Sequence, residues 1–182
     1  MLYTEYRTAA DKHLKTCIAI LDAIDRLDQL DNSSLIINKY KQECIHNLYY
    51  LSGYILEAIS TYSVYKHYSW TPNRSVKNKD TSFSNRTGFS FSSRHGYSYF
   101  VERHGFQTNQ FEVLRLCFSN SRIPFIDSSI TVSPQCQTLF RLWKAELRYH
   151  AANNHASVNE NAVREFVSVT NQVYNSLLQI VG

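Results

Sequence analysis

Between Leu35 and His67 the chain runs for 33 residues without a proline, and apolar residues recur along it at helical spacing on two sides. Ile37, Tyr40, Cys44, Leu48, Leu51, Ile55, Ile59 and Tyr62 form one stripe. Tyr50, Tyr54, Glu57 and Thr61 form a second seam beside it. An ordinary surface helix needs one apolar stripe; a helix with two meets neighbours on two sides. The pattern therefore predicts a long central helix with other helices packed around it. Gly53 falls in the middle of this run, where it costs about 1 kcal/mol relative to alanine. Close approach of a neighbouring element is the usual compensation.

The flanking segments supply those neighbours. In EYRTAADKHLKTCIAILDAIDRL, the positions Leu14, Cys17, Ile18, Leu21, Ile24 and Asp25 recur at three- and four-residue steps, and all but the last are apolar. This predicts a first amphipathic helix, separated from the central one by the capping-rich break Asp31–Ser34. A short helix is expected around Phe111, Leu114 and Cys117. Ser133 followed by Pro134 predicts a helix start, with a capping hydroxyl and then a ring whose missing N–H is not needed at that position. Cys136, Leu139, Phe140, Trp143 and Leu147 give that helix its apolar face and carry it through WKAELRYH. Ser157 and Glu160 read as a capping box for a last helix, buried along Ala162, Phe166, Val169, Val173, Leu177 and Ile180.

From about 70 to 106 helical periodicity disappears. TGFSFSSRHGYSYFV alternates Phe89, Ser90, Phe91 and then Tyr97, Ser98, Tyr99 around a glycine-bearing turn, which predicts a short β-hairpin. The expected architecture is one all-α domain over 1–182: an up-and-down bundle of four to five helices with a loop or hairpin insertion after the second.

Composition narrows the function classes. No apolar run approaches the roughly 20 residues that span a bilayer, and MLYTEYRTAADK lacks the pattern of a signal peptide, so a cytoplasmic protein is expected. Cys17, Cys44, Cys117 and Cys136 are widely spaced, which suggests reduced thiols rather than a zinc site or a disulfide framework. No carboxylate cluster accompanies His95 or His104, so neither a metal nor another cofactor is expected. The net charge of +4 permits a polyanionic partner without requiring one.

Two stretches carry candidate chemistry. RYHAANNH places Arg148 and His155 seven positions apart. If the pair cleaves RNA without a metal, His155 is the acid/base, since an imidazole titrates near pH 6.5, and Arg148 holds the charge of the phosphorane-like transition state. Asn153 or Asn154 would orient the phosphate, and His150 would be a substitute imidazole. The alternative is that Arg148 caps its helix and pairs with Glu57 or another carboxylate. Arg7 and His13 repeat the same loose spacing. In the insertion, Arg74, Lys77, Lys79, Arg86 and Arg94 alternate with Phe83, Phe89, Phe91 and Tyr97, with Asp80 opposing them. Basic residues hold a phosphate backbone and aromatic faces stack unpaired bases, a composition that suits single-stranded RNA. The alternative is a loop whose aromatics pack onto the bundle.

YYLSGYILEAISTYSVYKH, WKAELRYH and AADKHLKTCIAILD, taken together, resemble the HEPN family (higher eukaryotes and prokaryotes nucleotide-binding domains). The resemblance rests on Gly53 and Glu57 in the second helix and on Arg148 and Tyr149 near the end of a later one, and it covers about 1–68 and 108–182. It implies a prokaryotic helical-bundle protein, often a homodimer, tied to RNA cleavage in a defence or toxin–antitoxin setting or to a nucleotidyltransferase partner. It implies Arg148 and His155 as the catalytic pair. Tyr149, His150, Asn153, Asn154, Glu57, Arg86 and Arg94 are the candidate binding residues for RNA or nucleotide. The competing reading is a non-catalytic helical module that dimerises or binds a protein.

Overall fold

The proline-free run is helical from end to end. The computed structural model describes residues 1–30, 34–76, 81–82, 132–143 and 158–182. Among these residues it contains four helices and no strand: α1 (Thr4–Leu27), α2 (Leu35–His67), α3 (Pro134–Leu142) and α4 (Glu160–Val181). The fold is all-α, as the periodicity predicts. The expected hairpin and the expected short helix near Phe111 lie outside the described residues.

α2 is the centre of the packing, with α1 and α4 laid against it and α3 against α4. From Ser52 to Tyr65 it is buried on every side, with only Tyr54 half-exposed. Leu48, Ile55 and Ile59 are fully enclosed; each such side chain contributes about 1.5–3 kcal/mol of burial. Cys17 meets Ser52 at 3.5 Å, Tyr3 stacks on Tyr62 at 5.7 Å, and Lys41 pairs with Asp28. Positions on α1 fall as those on α2 rise, so the two helices are antiparallel. α4 is antiparallel to α1 as well: Arg164 meets Asp25 at 2.6 Å and Tyr174 donates to Asp11.

Some positions depart from the sequence pattern. The cap residue Tyr3 and, on α1, Ala10, Cys17 and Ile24 are buried, a strict seven-residue repeat and a narrower line than expected. Ile18, placed in the apolar stripe by its spacing, is 52% exposed. It lies on the line from Asp11 to Asp25, at the rim where α1 meets α4 through polar groups rather than through core. Tyr40 is also exposed, because the first turns of α2 project past the level at which its neighbours cover it.

The ends of the helices follow local chemistry. Ser133 Oγ accepts from the Cys136 N–H at 3.1 Å and Pro134 occupies the first helical turn, as Ser-Pro predicts. α4 is capped by Asn159, whose Oδ1 accepts from Ala162 N–H at 2.9 Å. The expected box from Ser157 is thus displaced: the cap belongs to Asn159, and Ser157 lies outside the described residues. α2 ends in a Schellman turn. Trp70 N–H reaches the Tyr65 carbonyl at 2.9 Å, Ser69 N–H reaches that of Lys66 at 3.1 Å, and Ser69 takes a φ of 56°. The apolar contact that accompanies such a turn is Trp70 edge-on to Tyr65 at 5.3 Å.

α3 corrects the sequence reading most clearly. Its apolar face implied a helix continuing through WKAELRYH, but it ends at Leu142, and Trp143 turns out to extended backbone with ψ 132°. The cause is the indole. Trp143 Nε1 donates to the Tyr50 carbonyl at 3.1 Å, and the ring lies against Gly53 of α2.

Candidate functional site

Of the nine residues singled out in the sequence, Glu57 is among the described residues. Arg148, His155, Tyr149, His150, Asn153, Asn154, Arg86 and Arg94 lie outside them. Glu57 sits on α2 one turn beyond Gly53 and is 7% exposed. It lines a cavity of about 160 Å³ between α1 and α2 together with Met1, Glu5, Tyr6, Ala9, His13, Tyr54 and Ala58.

Helical spacing builds both walls. Tyr6, Ala9 and His13 stand on the flank of the α1 heptad line, and Tyr54 is followed one turn later on α2 by Glu57 and Ala58. Alanine at positions 9 and 58 leaves the space that larger side chains would fill. Tyr54 is held from behind by edge contacts with Tyr50 at 4.9 Å and Trp143 at 5.2 Å. His13 lies 5.8 Å from the Tyr54 ring. The exposed Met1 and Glu5 mark the solvent side. That end is tied down: the Met1 carbonyl accepts from Val76 N–H at 3.0 Å and Ser75 Oγ at 3.2 Å, and Glu5 accepts from Leu2 N–H at 2.9 Å.

The electrostatics follow from these neighbours. Burial holds the His13 imidazole below its usual value, with the Lys12 charge adding to the effect, so its neutral form, with one donor and one acceptor nitrogen, is favoured. Burial pushes the Tyr6 hydroxyl up, and the carboxylates of Glu57 and Glu5 reinforce it. The site thus offers carboxylate and imidazole acceptors between tyrosine rings. The sequence already singled out Tyr54 and Glu57 as a seam. It gave no role to Tyr6 or to His13 beyond the loose match with Arg7, although the run of i, i+3, i+7 positions Tyr6, Ala9, His13 was there to be read. Arg7 does not join His13: it is exposed on another face of α1, near Tyr174.

Elsewhere among the described residues the ion pairs are structural. Asp25, Asp28, Lys41, Glu160 and Arg164 tie three helices together at one end, with Lys41–Glu160 at 2.7 Å and Arg164–Glu160 at 2.8 Å. A second hollow, at the starts of α3 and α4, is lined by Ser133, Asn159 and Glu165 among others. Glu165 fills the role an anion would take there, accepting from Ser133 N–H at 2.8 Å. Cys17, Cys44 and Cys136 are free thiols. Among the described residues no group of His, Cys, Asp and Glu is arranged to hold a metal ion, and no helix is long and apolar enough to cross a membrane. Compared with known proteins, the chain matches no family model, no curated sequence and no solved structure.

Proposed function

We propose that this chain is a HEPN-like up-and-down helical bundle, one domain over 1–182, that binds RNA or nucleotide through its insertion at about 70–106. The observation that carries the reading is the segregation of charge. The insertion holds six Lys and Arg (Arg74, Lys77, Lys79, Arg86, Arg94, Arg103) against Asp80 and Glu102. That difference equals the +4 of the whole chain, so the rest of the sequence is neutral in sum. On the bundle, Lys41 and Arg164 are already engaged by Asp25, Asp28 and Glu160. A polyanion would find its excess of cations in the insertion, beside aromatics suited to stacking on unpaired bases. In this reading Arg148 and His155 are the pair that would cut a bound strand without a metal, and the setting implied by the resemblance is host defence or a toxin–antitoxin pair.

The test is binding and cleavage of labelled single-stranded RNA in EDTA. Binding should weaken as salt rises and fall in an Arg86→Ala/Arg94→Ala variant. Cutting that leaves 2′,3′-cyclic phosphate ends, and is lost in Arg148→Ala and His155→Ala, would establish the nuclease. Salt-independent or absent binding would reject the reading.

A second reading has its own observation. Leu30, Leu35, Ile36 and Tyr40 are exposed around the junction of α1 and α2, Leu35 at 85%. Clustered apolar side chains of this size fit a module that pairs with itself or with another protein. Sedimentation of the wild type against Leu35→Ser/Ile36→Ser would separate a dimer built on this end from a monomer.

A further inference from the structure

We infer that the α1–α2 cavity is a binding site for a small neutral hydroxyarene, a ligand of the phenol class. The site is separate from the RNA reading and does not rest on it. Size is the first argument: a cavity of roughly 150 Å³ holds benzene, so about 160 Å³ admits one six-membered ring with a small substituent. A fused pair of rings exceeds it. The walls are the second argument. Tyr6, Ala9, Tyr54 and Ala58 line the space, so a ring that enters meets aromatic and methyl carbon. Tyr54 is braced edge-on by Tyr50 and Trp143, which preorganises this wall rather than leaving the ligand to order it.

Charge sets the class of ligand. Met1, which bears the α-amino group, lines the cavity together with Glu5 and Glu57. Charges of both signs are thus in place before any ligand arrives, and the lining selects neither. An ion would give up its hydration there while meeting like and unlike charge together, whereas a neutral ring has little hydration to lose. The substituent is set by two half-buried polar groups. Neither the Tyr6 hydroxyl nor the His13 imidazole has a hydrogen-bond partner among the described residues. Neutral His13, 5.8 Å from the Tyr54 ring between centroids, offers an acceptor nitrogen, and Tyr6 offers an O–H. A hydroxyl on the ligand donates and accepts at once, so it answers either group or both.

The probes are phenol, fluorobenzene, benzoate, benzylammonium and naphthol, each titrated into the full-length protein at about pH 7.5, where phenol is neutral. Ligand-observed saturation-transfer NMR follows the binding. Phenol should bind saturably and shift the His13 ring protons. Fluorobenzene, nearly the same size but unable to donate, should bind about fivefold more weakly, the effect of one neutral hydrogen bond. Both ions should bind at least about tenfold more weakly than phenol, and naphthol, with two fused rings, should not bind. Tyr6→Phe/His13→Phe should cancel the preference for phenol over fluorobenzene. Ala9→Leu fills the cavity without altering a charge and should abolish binding while the helical circular dichroism stays at the wild-type level. The comparison of probes needs the wild type alone, so it decides the matter even where a variant fails to fold. Absence of saturable phenol binding, equal binding of either ion or of naphthol, or binding untouched by Ala9→Leu would overturn the proposal.

Discussion

A β-carbon built on Gly53 would lie 1.9 Å from Cε2 and Nε1 of Trp143. The indole occupies the room that the missing side chain leaves, and from there Nε1 reaches the Tyr50 carbonyl. This reverses the usual effect of glycine in a helix. At an open position Gly53→Ala would stabilise by about 1 kcal/mol. Here it should destabilise by about 2–3 kcal/mol, through overpacking and the lost hydrogen bond. Urea unfolding would measure the loss, and the Trp143 emission should shift as the ring is expelled. Wild-type stability in Gly53→Ala would refute the contact.

Ser69 gives a prediction of opposite sign. It holds the left-handed position of the turn that ends α2, at φ 56°, where an L-residue other than glycine is strained by about 1–2 kcal/mol. Ser69 is exposed and its side chain is not part of the core. Ser69→Gly should therefore raise stability, by about 0.5–1 kcal/mol once the added freedom of the unfolded chain is subtracted. An unchanged or lowered thermal midpoint would rule this out.

The long helix was legible because its evidence is local and repeated: 33 residues of consistent spacing with no proline. The Ser133-Pro134 start was legible for a similar reason, since capping chemistry acts within one turn. What could not be read was set by contacts distant in sequence. Trp143 fits the apolar face of α3 by spacing, yet it leaves the helix to bond Tyr50, 93 positions away. Asn159 takes the cap that Ser157 also suited, a choice between neighbours that spacing cannot make. The cavity is a joint property of α1 and α2; Tyr6 and His13 acquire their setting only once Tyr54 and Glu57 are brought opposite them.

The cysteines should sort by environment. Burial, with the nearby Glu165, pushes the Cys136 thiol up to about 12, and burial raises that of Cys17 despite its contact with Ser52. Since the thiolate is the reactive form, both should resist iodoacetamide at pH 8 in the folded protein. The Cys44 thiol is also raised, by burial with the Glu43 charge adding to it, but Cys44 is only half-buried on α2 and should be alkylated before either. Peptide mapping after timed quenching reads the order; labelling of Cys136 ahead of Cys44 would contradict the packing of α3.

His13 makes stability depend on pH in a defined direction. Burial lowers its folded-state pKa below the ordinary value, which is about 6.5. In the window between those two values the unfolded chain binds a proton that the folded chain does not, so stability rises with pH there. The contribution is complete above about pH 6.5 and is lost as pH falls through the lowered folded value. His13→Gln, which cannot take up that proton, should flatten the acid side of the profile while leaving the neutral side parallel to wild type. An NMR titration of the His13 ring protons should give a midpoint below 6.5. A midpoint at or above the free imidazole value would show that His13 is solvated and that the wall it forms with Tyr54 is not closed.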